Sequence, residues 1–400
     1  MTSRPSASPE FDLDSLLAQA SARARAGGLS DFGPGNYREA LQVMFDSLRD
    51  EAGLSPQGRA LLHEKLLGQL VNRLVIEDYC RRYPEIEQQP LDDPLVIVGL
   101  PRTGTTLLQR TLAVDPQFHS AAWWETRYPA PLPGESLDDP AQRTARACAE
   151  VASMLEYMPQ ILSIHPLDAL QADEEFMLME HSFMSAMDSY ANVPSYTAWL
   201  DRQDQTPVYD YLKKMLQFLQ WQQRRRGRPA GRRWLLKSPQ HLHTLELLFK
   251  TFPRAQVVLT HREPGKTIPS IASFVHTLWQ MYSDSPDPRL VGAQWSSRMA
   301  RAIRHSMEVR NGQPAECFLD VRFEDTLADP LAVIERIYRF AGLPLGAEVR
   351  AAMADWLAQN GREKRAAHGY SLAQFGLSER QLEDDYADYR ARHINAETRI

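Results

Sequence analysis

The chain has 400 residues, 43% hydrophobic and 24% charged, enough to bury a full core in one large domain or two ordinary ones. Its formal charge of -6 gives no net attraction to nucleic acid, so no nucleic-acid partner is expected and anion binding falls to local basic sites. The longest apolar runs, such as Leu95 to Leu100, are far shorter than the ~20 residues of a membrane helix, and the N-terminus lacks a secretory signal. A cytoplasmic protein with no membrane partner is the expectation.

Residues 1–10, rich in Ser and Pro, read as a disordered tail, and 11–90 as a helical region broken at Gly27-Gly28 and Gly33-Pro-Gly35. Leu61, Leu62, Leu66, Leu67, Leu70, Val71, Leu74 and Val75 recur at helical spacing, so one face of a long helix must pack on the rest. After the linker Gln88 to Pro94, Leu95-Val-Ile-Val98 reads as a buried parallel strand. An α/β domain is expected over 94–350. Its helix Thr105 to Val114 ends before Pro116, and a helical insertion over about 140–230 covers the core, with Phe176 to Tyr190 as one of its helices. The run Arg224 to Arg233 reads as a solvated loop. Trp234 to Leu236 and Ala255 to Thr260 flank a helix as a βαβ unit, Cys317 to Val321 is a fourth strand, and Leu331 to Ala341 is a helix stopped by Gly342. Residues 351–400 form a helical tail. The three cysteines, Cys80, Cys148 and Cys317, are scattered and read as buried thiols, with no disulfide framework and no metal site expected.

Ligands of open parallel sheets bind at the strands' carboxyl ends, and three such ends are informative. Gly99-Leu-Pro-Arg-Thr-Gly-Thr-Thr106 sits between a strand and a helix, the layout of an anion-binding loop. An ATP-type loop needs Lys where Thr105 stands; Arg102 replaces that charge, which suits a phosphate and a sulfate better than a triphosphate with magnesium. Lys237 ends the second strand, before Ser238 as N-cap and Pro239 as first helical residue. A cation at a helix N-terminus makes sense if an anion lies between them. The third end carries Arg262 and, eight residues on, Ser270, a guanidinium fork and a hydroxyl suited to a terminal phosphate.

Together these segments, Pro94 to Pro116 and Trp234 to Phe274, resemble the two motifs of the sulfotransferase superfamily that bind 3′-phosphoadenosine 5′-phosphosulfate (PAPS). The likeness is greatest to bacterial enzymes with a Pro-Arg-Ser/Thr-Gly-Thr-Thr loop and to tyrosylprotein sulfotransferases. The resemblance implies a P-loop-type three-layer α/β fold with a central parallel sheet, plus the helical N-terminal region and insertion. It implies PAPS as co-substrate without a metal, bound by Arg102, Thr103, Gly104, Thr105 and Thr106 at the phosphosulfate and by Arg262 and Ser270 at the 3′-phosphate. Lys237 and Arg102 would stabilise charge during in-line transfer to a hydroxyl or amine.

The acceptor needs a base. Cytosolic sulfotransferases carry a histidine two residues after the lysine, where this chain has Pro239. Glu125, in Trp123-Trp124-Glu-Thr-Arg127, is the expected base: with a two-residue shift it matches a Glu-Thr-Arg of tyrosylprotein sulfotransferases, and two tryptophans would desolvate it. Asp173-Glu174-Glu175 could line the acceptor site or supply an alternative base, but reads first as helix capping. His241 and His243 read as packing groups. Trp123, Trp124, Met154, Tyr157, Met158 and Phe176 to Met187 could wall an apolar pocket for a small-molecule acceptor. Lys364-Arg365 and His368-Gly-Tyr-Ser371 could close over the nucleotide. Two alternatives stay open: a P-loop nucleotide or small-molecule kinase, with Asp320 as a weak magnesium ligand, and a nucleotide-binding scaffold without activity. Homo-oligomerisation is open as well.

Overall fold

The run Leu95–Gly99 forms β1, buried from end to end, as its unbroken apolar sequence requires. It is the central strand of a parallel sheet ordered β2-β3-β1-β4-β5, where β2 is Phe118–His119, β3 Arg233–Lys237, β4 Gln256–His261 and β5 Phe318–Arg322. This computed structural model describes residues 10–24, 29–91, 93–159, 162, 166–228, 231, 233–360 and 369–395. The expected tail, apart from Glu10, lies outside them, as do Gly27-Gly28, Lys364-Arg365 and His368.

Alternation along β1 produces three layers. Val96 and Val98 face a large core built with the N-terminal helices and the insertion, while Leu95 and Ile97 face a second core with Val258, Val333 and Ile337. The N-terminal helices are α1 Leu13–Ala24, α2 Tyr37–Asp50 and α3 Pro56–Arg82. Ser55 caps α3 by accepting from Gly58 N at 3.0 Å, and Leu62, Leu66, Leu67, Leu70 and Leu74 are its buried stripe. Helix α4, Thr105–Leu112, follows β1; α5, Trp123–Arg127, follows β2. The insertion contains α6, Ala141–Tyr157, and α7, Thr206–Arg225. Then come α8, Leu245–Thr251, α9, Pro264–Tyr282, α10, Pro288–Asn311, and α11, Pro330–Ala341. Among the described residues no helix is long and apolar enough to cross a membrane.

Several local expectations change. Phe176 to Tyr190 is not one helix but Phe176–Met179, Glu180–Ser182 and Met187–Ser189, with Phe183 at φ +59° between the pieces. The buried Tyr196 hydroxyl donates to Phe183 O at 2.7 Å and accepts from Ser185 N at 3.0 Å, taking up groups that a helix would have paired with itself. Ser238 does cap, accepting from Gln240 N at 3.1 Å, yet the turn it starts is a 3-10 helix, Pro239–His243, separate from α8. Cys80 alone is a buried thiol, pushed up to about 12 by burial; Cys148 is exposed and Cys317 half-buried.

The chain leaves β1 for β2 and β3 on one side and then crosses to β4 on the other, so the ends of β3, β1 and β4 meet at a topological switch point. There the strands approach closely: Gly99 pairs with Thr260, and a Cβ on Gly99 would stand 2.1 Å from Thr260 Oγ1 and 2.6 Å from its carbonyl. We expect Gly99→Ala to lose ~1–3 kcal/mol in urea unfolding through overpacking; an unchanged midpoint would refute this contact as a constraint.

Candidate functional site

The loop after β1 turns through two left-handed residues, Arg102 at φ +74° and Gly104 at φ +87°. Arg262 braces the first by donating from Nη1 to Arg102 O at 2.8 Å. Thr103 braces the turn from within: its fully buried hydroxyl donates to Leu100 O at 2.7 Å and lies 2.6 Å from Thr260 Oγ1. This makes the Thr103 side chain a strut of the loop, and Thr103 is not among the residues that line the cavity beside it. Arg102, Gly104, Thr105 and Thr106 line a cavity of about 990 Å³, where the first turn of α4 offers backbone N–H groups to an anion.

Lys237 ends β3 at the foot of this cavity. Its ammonium is fully buried, 2.5 Å from Glu174 Oε1 and 3.3 Å from Thr106 Oγ1, two groups that do face the cavity. Its backbone N–H donates to Glu175 Oε2 at 2.7 Å, while Glu175 Oε1 lies 2.7 Å from His241 Nε2 and His241 Nδ1 lies 2.8 Å from the Tyr209 hydroxyl. The segment that carries these carboxylates is fixed by α4, where Gln109 Nε2 donates to Asp173 O at 2.9 Å and Arg110 Nε to Ala172 O at 3.0 Å. Asp173 also pairs with Arg110 at 3.4 Å. Asp173, Glu174 and Glu175 are therefore not helix caps. Three successive acids before an apolar run were the available signal, and the capping reading hid it. His241 is a packed, paired group as expected, and His243 lines the cavity with burial holding it well below the usual imidazole range.

Arg262 and Ser270 face the same cavity, and the Arg262 guanidinium lies 3.9 Å from the Phe323 ring centroid. Behind Arg262, His261 Nε2 lies 2.7 Å from Asp320 Oδ1 and stacks on His393 at 4.3 Å. Arg310 donates to both Asp320 oxygens at 2.6 Å. Burial opposes ionisation of Asp320, but Arg310 and His261 outweigh it and hold the carboxyl far below its usual range. Ligand atoms of His261, Asp320 and His393 lie within 4.8 Å of one another, but both carboxylate oxygens are spent on Arg310. Asp320 thus anchors the strand that carries Arg262, and it sits on edge strand β5, away from β1, which speaks against its use as a kinase's magnesium ligand.

Glu125 does not take the expected place. It is buried yet does not line the cavity: Oε1 accepts from Arg226 at 2.7 Å, Oε2 from Ala122 N at 3.0 Å, and Gln223 reaches both at 3.2 Å. The half capping box at Ala122 turns it toward α7 and the arginine run rather than toward α4. Of that run, Arg224 and Arg225 end α7, where Arg225 pairs with Asp138, and Arg233 opens β3, where it donates to Asp93 O. Of the expected apolar wall, Trp123, Met154, Tyr157, Phe176, Met177 and Ala186 line the cavity. Trp124, Met158, Met179, Met184 and Met187 do not.

A family model described as "Sulfotransferase family" matches residues 94–347. Curated relatives from Mycobacterium bovis and Mycobacterium tuberculosis, each named omega-hydroxy-beta-dihydromenaquinone-9 sulfotransferase Stf3, are 26% identical over 263 residues, 63% of this chain. The chain spans 63% of the length of those relatives. Among solved structures, the sulfotransferase STF1 of Mycobacterium tuberculosis is similar at 32% identity and TM-score 0.80, covering 94% of this chain and 98% of that one. The sulfotransferase STF9 of Mycobacterium avium is similar at 26% identity and TM-score 0.84, covering 98% of both chains.

Because Glu125 neutralises Arg226 away from the cavity, Glu125→Gln should lower the unfolding free energy by about 2–3 kcal/mol in urea titration. A variant as stable as the parent would refute the structural role.

Proposed function

The chain belongs to the sulfotransferase family, and from that premise we propose that it moves a sulfuryl group from PAPS to a hydroxyl on an apolar acceptor. The observation that carries this reading is Lys237: a buried ammonium at a strand end, bonded to Thr106 and Glu174, which line the cavity that Arg262 and Ser270 also line. The donor set fits PAPS. The loop and α4 offer N–H groups and hydroxyls to the phosphosulfate, Arg102 adds charge beside it, and the Arg262 fork with the Ser270 hydroxyl suits the 3′-phosphate.

Sulfuryl transfer asks for positioning and for fixed cations on the departing oxygen. The acceptor oxygen attacks sulfur, the bond between sulfur and the 5′-phosphate oxygen breaks with its electron pair staying on that oxygen, and Lys237 supports the charge formed there. Glu174 takes the acceptor's proton in place of Glu125. Its carboxylate faces the cavity and bonds the Lys237 ammonium, so a phosphate oxygen that draws the ammonium toward itself releases the carboxylate to act as base. An alcohol on an apolar body is supported by the wall of Trp123, Met154, Phe176 and Phe274 and by the hydroxylated dihydromenaquinone for which the Stf3 relatives are named.

Thermal-shift titration with PAPS, adenosine 3′,5′-bisphosphate and ATP with magnesium should stabilise the chain most with the first two; preference for ATP with magnesium would overturn the reading. Arg262→Ala should weaken bisphosphate binding by ~10-fold to 100-fold. Lys237→Met and Glu174→Gln should instead lower turnover, measured with radiolabelled sulfate, by about 10²-fold or more. Full turnover in Glu174→Gln would move the base to another group.

A further inference from the structure

The cavity is far longer than the reacting groups require, and α9 runs along it. Ser270, Phe274, Leu278, Met281 and Tyr282 all line it at helical spacing. At 1.5 Å per residue, Tyr282 stands about 18 Å along the helix from Ser270. This far end is polar although largely buried, its charged side chains keeping between 3% and 28% of their surface. Tyr282 packs edge-on against Tyr190 at 6.0 Å, and Lys65 lies 4.5 Å over the Tyr190 ring. Lys65 Nζ donates to Glu180 Oε2 at 2.6 Å; facing it, Arg127 Nε donates to Glu150 Oε1 at 2.9 Å, and the Tyr128 hydroxyl donates to the other Glu150 oxygen. Burial pulls the Lys65 ammonium down against the opposing pull of Glu180, with Arg127 adding to the fall. Burial would raise Glu150, but Arg127 and Tyr128 outweigh it and hold it below its usual range.

None of these groups touches the reacting end, and the apolar stretch between would be served as well by an apolar end wall. Burying two ion pairs beside a substrate cavity is costly unless something uses their polarity. Each cation already has its own carboxylate, so a charged ligand group would have to break a pair. Donors nevertheless remain: Arg127 spends only Nε on Glu150, and no hydrogen bond from its two terminal nitrogens occurs among the described residues.

We propose that Lys65, Arg127, Glu150, Tyr190 and Tyr282 form a second acceptor subsite. It takes an uncharged hydrogen-bond acceptor, of the carbonyl class, on an apolar chain whose hydroxyl reaches Glu174. Arg127 is its chief donor and Glu150 fixes that guanidinium. The proposal rests on the sulfotransferase reading and names the acceptor class for it.

The test uses the full chain with PAPS and four series of primary alcohols over graded chain lengths: plain alkanols, ω-hydroxy methyl ketones, ω-hydroxy carboxylates and ω-amino alcohols. The ketones should exceed alkanols of equal length in kcat/KM by about tenfold, at one preferred length and mainly through KM, and both charged series should fall below the alkanols. Arg127→Met, with Lys65→Met as a second variant, should bring the ketone-to-alkanol ratio close to one, while bisphosphate-induced thermal shifts show that each variant folds. Equal rates for ketone and alkanol, a charged series that is preferred, or a ratio unchanged in both variants would overturn the subsite while leaving sulfuryl transfer intact. Bisphosphate binding with no transfer to any alcohol would overturn the parent reading and the subsite with it.

Discussion

The ammonium of Lys237 is buried without exposure at the end of β3, and the site is organised around making that tolerable. A single strand cannot supply the counter-charge, so it comes from the insertion as Glu174. The acid in turn must be held, and the polar face of α4 does this by taking the carbonyls of Ala172 and Asp173. Glu175, His241 and Tyr209 then fix the lysine's own backbone. Three distant stretches of chain thus specify one another, and a cation next to a helix N-terminus becomes a stable feature that an anion would complete.

The same economy governs the other anion group. Arg262 follows a strand end whose neighbour His261 is locked by Asp320, and Asp320 is locked by Arg310 from α10. Arg262 then holds the carbonyl of Arg102 in its left-handed conformation. Arg262 therefore also has a structural task, which places it before any ligand arrives. The close pairing of Gly99 with Thr260 keeps the two strand ends near enough for this to work.

The contrast between Lys237 and Glu125 shows what could be read in advance. Lys237 ends a buried strand, and a strand end in a parallel sheet has one destination, the crevice at the carboxyl edge. Glu125 lies in a short helix of five residues, where a single turn decides which way the side chain points. Its tryptophan neighbours signalled burial correctly but carried no information on direction, which Gln223 and Arg226 of a remote segment supply. The acids at 173–175 were misread for the complementary reason: a local rule for helix starts explained them, and their partners lie far away in sequence.

By itself, then, the sequence determined the elements whose signals are local and strong: the apolar strands, the Gly-containing loop before α4, and the cations and hydroxyl at three strand ends. Those positions place Arg102, Lys237, Arg262 and Ser270 around one crevice because parallel-sheet topology leaves them little choice. Only the tertiary structure decided which carboxylate meets Lys237, that Thr103 braces the loop, that Glu125 turns away, and that the cavity continues to a polar end at Lys65 and Arg127. These depend on side-chain direction and on pairing between segments remote in the chain, and neither is fixed until burial forces each charge to find its partner.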